Sequence, residues 1–175
     1  QGQYHSDTNS DIGGNGHTMS EYNLQRAWNI EQITTKGDWE DWIRRFSVEL
    51  LRESPSSALR ACSALAQAYQ PLSMALLHAA FVDCWLLLSD PTRENLMRAL
   101  KVVLTTAEVP PDILQTLLNL AEFMEHEVEG EALPIDIRTL ADLAERCHSY
   151  AKALHYKELE FQTSPAICIA SLIAI

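Results

Sequence analysis

Prolines recur along this chain at helix-length intervals: Pro55, Pro71, Pro91 and the pair Pro110-Pro111 follow one another at 16, 20 and 19 residues. Inside a helix a proline removes a hydrogen bond and clashes with the preceding turn, whereas in the first turn its missing N–H would have had no partner anyway. Each of these prolines begins a pattern of helical period, so the spacing predicts a succession of helices of roughly 15 to 25 residues joined by short turns. Ser54 and Asp90, each directly before a proline, are candidate N-caps.

The apolar residues between the prolines repeat with the same period. Across residues 36–53, Trp39, Trp42, Ile43, Phe46 and Leu50 fall on one stripe, with Glu40, Arg44 and Arg45 among the polar remainder. From Pro71 to Ser89, Leu76, Leu77, Phe81, Val82, Cys84, Trp85 and Leu86 leave little polar surface, which predicts a helix packed on two faces. Leu114, Leu117, Leu118, Ala121 and Met124 form a further stripe, and Gly130 and Pro134 mark a break after it. From Ile137 to Phe161, Leu140, Leu143, Ala144, Cys147, Ala151 and Leu154 predict one long last helix, ended by Pro165. No segment alternates with period two, and Asn-Gly occurs only near the start, so no strand is expected. The expected fold class is all-α, an α-solenoid of antiparallel helical hairpins with about seven helices. Residues 1–20, rich in Gly, Ser, Asn, Asp and His, read as a flexible polar lead-in.

Charge narrows the partners. Lys plus Arg total 13 against 24 for Asp plus Glu, a formal charge of -11, and no basic run offers the phosphate-neutralising surface that nucleic acid requires. An anionic membrane surface is disfavoured for the same reason. The longest apolar stretch, residues 166–175, is about half of the roughly 20 residues of a spanning helix, so no direct membrane insertion is expected. The first residues lack the cationic start and apolar core of a secretory signal. Cys62, Cys84, Cys147 and Cys168 sit in apolar helical patterns without a C-x-x-C pair and read as reduced, mostly buried thiols.

Side chains able to carry chemistry have simpler explanations. Gly13, Gly14 and Gly16 cluster without the strand before them or the Lys-Ser/Thr after them that a phosphate cradle needs. His148 and His155, seven apart, would share a helix face beside Cys147, yet no i, i+4 His pair specifies a metal. Glu122, Glu125, His126, Glu127, Glu129 and Glu131 gather where a helix ends and read as a solvated loop; a docking patch for a basic partner is the second reading. Trp28, Trp39, Trp42 and Trp85 read as core rather than a ligand box. Ser54, Ser56 and Ser57 have a capping role that leaves no need to invoke phosphorylation. Catalytic, cofactor-binding and metal-ligating residues are all expected to be absent.

Longer strings carry a resemblance. Asn23 to Trp28, Asp38 to Trp42, Val48 to Ser56, Ala58 to Cys62, the strings Ala79-Ala80-Phe81 and Cys84-Trp85, and Gln115 to His126 follow one another in an order that resembles the late HEAT-repeat region of target-of-rapamycin (TOR) kinases. Ala144 to His148 and Tyr150 to Phe161 are similar to the start of that family's FAT region. The resemblance spans residues 23–175 and implies a late HEAT-like region over 21–146 and the start of a FAT-like region over 147–175. It implies a fragment of a large serine/threonine kinase, and a segment that is not itself an enzyme. The ATP, magnesium and rapamycin sites of that family lie outside this window. Implied partners are the rest of the TOR chain, the subunits of TOR complexes and a second TOR protomer, with a cytoplasmic complex recruited to vacuolar, lysosomal or other endomembranes in nutrient-responsive growth control. The competing reading is an autonomous helical-repeat adaptor that holds a partner peptide or helix in a groove. Residues 166–175 end on apolar side chains, where a self-contained adaptor is expected to close with a polar cap.

Overall fold

The computed structural model describes residues 18–128 and 132–163. Among them there are eight helices and no strand: α1 (Glu21–Trp28), α2 (Lys36–Glu53), α3 (Ser57–Ala68), α4 (Gln70–Trp85), α5 (Asp90–Thr105), α6 (Pro111–Glu127), α7 (Ile137–Arg146) and α8 (Tyr150–Thr163). The all-α, solenoid-like arrangement matches the sequence reading. The count rises from about seven to eight because the expected last helix is two.

That division has a local cause. After Arg146 the chain turns through His148, whose φ of 56° is left-handed. The His148 N–H donates to the Glu145 carbonyl at 2.9 Å and the Ser149 N–H to the Ala144 carbonyl at 2.8 Å, the paired bonds of a Schellman motif, usually completed by glycine or asparagine. Histidine hides that signal, since it enters the left-handed region only occasionally. The turn also resets the apolar phase. Leu140, Leu143 and Ala144 are buried as expected, but Ala151 and Leu154 face outward, and Ala153 and Tyr156 take the core positions of α8. A three-residue connection folds α8 back on α7, and the hairpin is laced by Arg138 Nε to Glu160 at 2.8 Å and by the buried Lys157 between Asp142 and Glu160.

Helix starts also differ in detail from expectation. Pro71, Pro91 and Pro111 stand in first turns as predicted. Pro55 lies in the α2–α3 connection, and α3 is capped by Ser56, whose hydroxyl accepts from the Leu59 N–H. Ser54 is instead the C-cap of α2; its hydroxyl donates to Asp83 of α4 at 2.8 Å and accepts from the Ser56 N–H. Asp90 is the first residue inside α5, not its cap. The cap comes from α1: Glu21 accepts from the Ser89 N–H at 2.7 Å, from the Ser89 hydroxyl at 2.9 Å and from the Thr92 hydroxyl at 2.5 Å. These donors, Thr92 foremost, hold the Glu21 carboxyl below its usual pKa. Glu53, at the end of α2, likewise accepts from the Ser20 N–H and the Asn23 side chain at the start of α1, each at 2.7 Å. Helix α2 carries a full local capping box, Thr35 with Asp38.

The carbonyl ends of α1, α2, α4 and α5 are met by arginines from other helices. Arg45 of α2 donates to the Ala27 and Asn29 carbonyls at 3.1 and 3.2 Å, while the Trp42 indole N–H takes the Trp28 carbonyl between them. Arg60 of α3 donates to the Ser54 and Pro55 carbonyls, both at 2.7 Å. Arg93 of α5 reaches the Trp85 and Leu86 carbonyls at 3.0 and 3.3 Å. Arg146 of α7 reaches the Leu104 and Thr106 carbonyls at 2.9 and 3.0 Å. A guanidinium fork matches the two exposed carbonyls of a helix end, and its charge complements the negative end of the macrodipole.

The core runs between these joints. Helix α2 packs on α1, α3, α4 and α6, and α4 in turn contacts α3 and α6, which places α4 between neighbours on two sides as its composition predicts. Rings link the layers: Trp39 meets Trp42 edge-on, Trp42 stacks on Phe46 at 5.6 Å, Phe46 meets Phe81 edge-on at 6.4 Å, and Phe81 stacks on Trp85 at 5.8 Å. All four tryptophans are buried, as the core reading requires. Cys84 is the buried thiol in this layer, its Sγ–H donating to the Leu50 carbonyl at 3.4 Å. Cys62 and Cys147 are half-buried, so mostly buried thiols describes only one of the three, and Cys168 lies outside the described residues. Burial, with the negative charges of Asp83 and Glu53 nearby, pushes the Cys84 thiol up to about 12.

Three outcomes follow for the folded chain. Phe46→Ala empties the crossing of α2 and α4 and is expected to cost about 3–5 kcal/mol, whereas Leu65→Ala on the exposed face of α3 changes stability by less than about 0.5 kcal/mol, both read by urea denaturation with circular dichroism. Arg146→Met leaves the Leu104 and Thr106 carbonyls at the end of α5 without their charged donor and is expected to cost about 1.5–3 kcal/mol in the same assay, a loss that Arg146→Lys recovers only in part. On exposure of the native chain to iodoacetamide at pH 8, peptide mass spectrometry is expected to find Cys62 labelled ahead of Cys147, and Cys84 unlabelled until urea unfolds the chain, because burial holds its thiol protonated at that pH.

Candidate functional site

Helices α6 and α8 face each other across a polar seam, where Glu122, Glu125, His126 and His155, singled out from sequence, are found. Helix α6 starts on Pro110 and Pro111 and buries Leu114, Leu117, Leu118, Ala121 and Met124, the stripe read from sequence. Its neighbouring positions therefore carry Gln115, Asn119, Glu122, Glu125 and His126 along one side. Helix α8, set by the left-handed turn at His148, presents Lys152 and His155 toward them.

The upper part of the seam is fully paired. The Ser149 hydroxyl donates to Gln115 at 2.5 Å, the Gln115 amide donates to Asn119 at 2.9 Å, and the Lys152 ammonium donates to Asn119 at 2.6 Å and Glu122 at 2.5 Å. His78 of α4 stacks on Phe123 of α6 with ring centroids 5.1 Å apart. Burial lowers its pKa, and the Lys152 charge adds to the effect, so the ring stays neutral at neutral pH.

The lower part is not paired. Glu125, His126 and His155 each bring a ligand-type atom to within 4.8 Å of the others. His155 Nε2 is buried yet has no hydrogen-bond partner, and the nearest carboxylate oxygen, Glu125 Oε1, stands 4.0 Å away, beyond hydrogen-bonding reach. The hydroxyl of the adjacent Tyr156 is likewise buried without a partner, and burial beside Glu125 and Glu122 pushes it up to about 12.

This differs from the expected arrangement. His148 and His155 do not share a helix face: His148 lies in the turn, its Nδ1 3.1 Å from the Tyr150 hydroxyl, and Cys147 points its thiol to the Pro111 carbonyl at 3.8 Å. The acidic run is not simply a solvated loop either, since Glu122 and Glu125 belong to the α6–α8 seam. Glu129 and Glu131, with Gly13, Gly14 and Gly16, lie outside the described residues. His126 and His155 are 29 positions apart on different helices, a separation with no local spacing signature, so only the hairpin that returns α8 to α6 brings them together.

Elsewhere the surface offers contact area rather than chemistry. A depression between α1 and α2 is lined by Asn23, Arg26, Glu31, Asp38, Arg45 and Glu49, of which Arg45 and Asp38 already serve helix ends. Helix α3 buries only Ala66 of its own residues, leaving Leu65 and Tyr69 more than half exposed, and Leu86 and Leu87 are exposed at the α4–α5 turn. No helix among the described residues is long and apolar enough to cross a membrane.

No protein-family model matches the chain. Curated relatives do. It is 51% identical over 142 residues to the serine/threonine-protein kinase TOR2 of Saccharomyces cerevisiae, a match covering 81% of this chain and 6% of that protein. It is 50% identical over 146 residues to the serine/threonine-protein kinase TOR of Arabidopsis thaliana, covering 83% of this chain and 6% of that protein. The serine/threonine-protein kinase mTor of Drosophila melanogaster is 46% identical over 138 residues, or 79% of this chain and 6% of its own length. Identity of this order, sustained over about four-fifths of an all-helical chain and across fungal, plant and animal relatives, makes the chain a homologue of a short segment of the TOR serine/threonine-protein kinases.

Proposed function

We propose that this segment is a non-catalytic helical scaffold within a TOR-type serine/threonine kinase, supporting assembly of the kinase complex in nutrient-responsive growth signalling. The observation that carries the reading is the use to which the chain puts its polar side chains. Four of its arginines, Arg45, Arg60, Arg93 and Arg146, and two of its carboxylates, Glu21 and Glu53, close helix ends across neighbouring helices, an arrangement that fixes the geometry of a stack. The match to kinases of which it spans only 6% supports a structural piece of a larger enzyme. Nucleotide, magnesium and phosphate transfer then belong to the parent's distant kinase domain. Residues 21–146 would close the HEAT-like region and residues 147–175 begin the FAT-like one. The Schellman turn after Arg146 falls next to that division and supports it.

Exposed apolar side chains on α3 and at the α4–α5 turn supply contact area for the partners of this reading: the rest of the TOR chain, TOR complex subunits and a second protomer. The net charge of -11 favours basic protein surfaces over nucleic acid or anionic lipid. The parent complex would work in the cytoplasm and be recruited to vacuolar, lysosomal or other endomembranes through other parts.

In the full-length kinase, Leu65→Glu with Tyr69→Glu is expected to lower recovery of assembled complex on affinity capture while leaving phosphate transfer by the intact kinase domain at its normal rate. Normal assembly with reduced turnover would instead place this segment in the catalytic machinery. Residues 20–175 alone, examined by light scattering and circular dichroism, are expected to associate or melt broadly until the parent's following helices are added; a sharp monomeric melt without them would favour the adaptor reading.

A further inference from the structure

The unpaired end of the α6–α8 seam has the donor set of a transition-metal site. Two imidazoles and one carboxylate converge from two helices, and one of the imidazole nitrogens, His155 Nε2, is shut off from water with nothing to bond to. A buried polar nitrogen left without a partner carries a desolvation cost that a native fold ordinarily avoids. Here the group opposite is a carboxylate oxygen 4.0 Å away. That gap is too long for a hydrogen bond and close to the separation of two donors on a common ion, since zinc bonds of about 2.0–2.2 Å in tetrahedral geometry set neighbouring donors roughly 3.4 Å apart.

We propose that Glu125, His126 and His155 bind one divalent transition-metal ion of the zinc class, which clips α8 to α6. The three donor atoms already lie within 4.8 Å of one another, and the exposed Glu125 and His126 side chains can draw in by the remaining ångström while His155 stays fixed in the seam. Imidazole and carboxylate together suit zinc better than a hard cation such as calcium, which selects oxygen ligands only. The neighbouring Lys152 does not oppose the ion with a free charge, because its ammonium is held by Asn119 and Glu122 one turn away. Three protein donors leave a fourth position for water or for a side chain of a neighbouring segment.

The test is a zinc titration of the full chain, stripped with chelator and read against a chromophoric competitor, with cobalt(II) absorption reporting coordination geometry. One equivalent is expected, with a tetrahedral cobalt band and a rise in melting temperature. His126→Asn and His155→Asn are each expected to weaken binding by at least roughly tenfold, since loss of even an outer-shell partner costs about 10–100-fold, and Glu125→Gln to weaken it measurably. His148→Asn, in the nearby turn, is expected to leave it unchanged. His126 is exposed, so its variant keeps the native circular dichroism spectrum and separates lost ligation from lost folding. Failure to bind zinc above a nonspecific background, or binding that survives His126→Asn and His155→Asn together, overturns the proposal.

Discussion

A helix end leaves four backbone groups without partners, and a stack of short helices multiplies that problem at every turn. In this chain local caps at Ser20, Thr35, Ser56 and Asp136 meet part of that need at helix starts, and other helices supply much of the rest. Arg45, Arg60, Arg93 and Arg146 each place a guanidinium on two carbonyls at or just beyond the end of a preceding helix, and Glu21 and Glu53 accept from the N–H groups at the starts of α5 and α1. Each bond does two things: it satisfies a group that would be costly to leave unmet and it fixes the position of one helix relative to another. Apolar packing alone is nearly indifferent to small slides along a ridge, so the charged forks complement the aromatic layer of Trp42, Phe46, Phe81 and Trp85 by defining register.

The solvent-facing sides of α3 and of the α4–α5 turn carry exposed apolar residues, and the α6–α8 seam gathers Gln115, Asn119, Glu122, Lys152 and His155. Glu122 and Lys152 neutralise one another, while Glu125, His126 and His155 lie one turn further along with their hydrogen-bonding capacity only partly used. A scaffold can tolerate apolar exposure where another element covers it. Unpaired buried polar atoms are tolerated far less readily, and for that reason His155 Nε2 and the neighbouring Tyr156 hydroxyl stand out among the described residues.

Legibility followed physical range. Trp39, Trp42, Ile43, Phe46 and Leu50 are buried as their spacing requires, because a helical stripe is a local property that survives any tertiary arrangement. Pro71, Pro91 and Pro111 mark helix starts for an equally local reason. The expected single helix from Ile137 to Phe161 failed at one residue: the break depends on His148 adopting a left-handed conformation that its side chain does not announce. Asp90 failed as a cap because a better acceptor, Glu21, arrives from 68 positions away. Cys62 and Cys147 lie in apolar patterns yet are only half covered, since burial depends on which neighbour a face finds.

The sequence by itself determined the helical class, the placement of most helices, the tryptophan core and the kinship with TOR kinases, since each rests on residue order or on interactions within a few turns. Tertiary structure alone decided which arginine closes which helix, which apolar faces stay open, and that His126 and His155, on separate helices, share one unpaired cluster with Glu125. Those outcomes depend on contacts between segments dozens of residues apart, and such contacts leave no periodic trace in the chain because their partners are chosen by the path of the backbone in three dimensions.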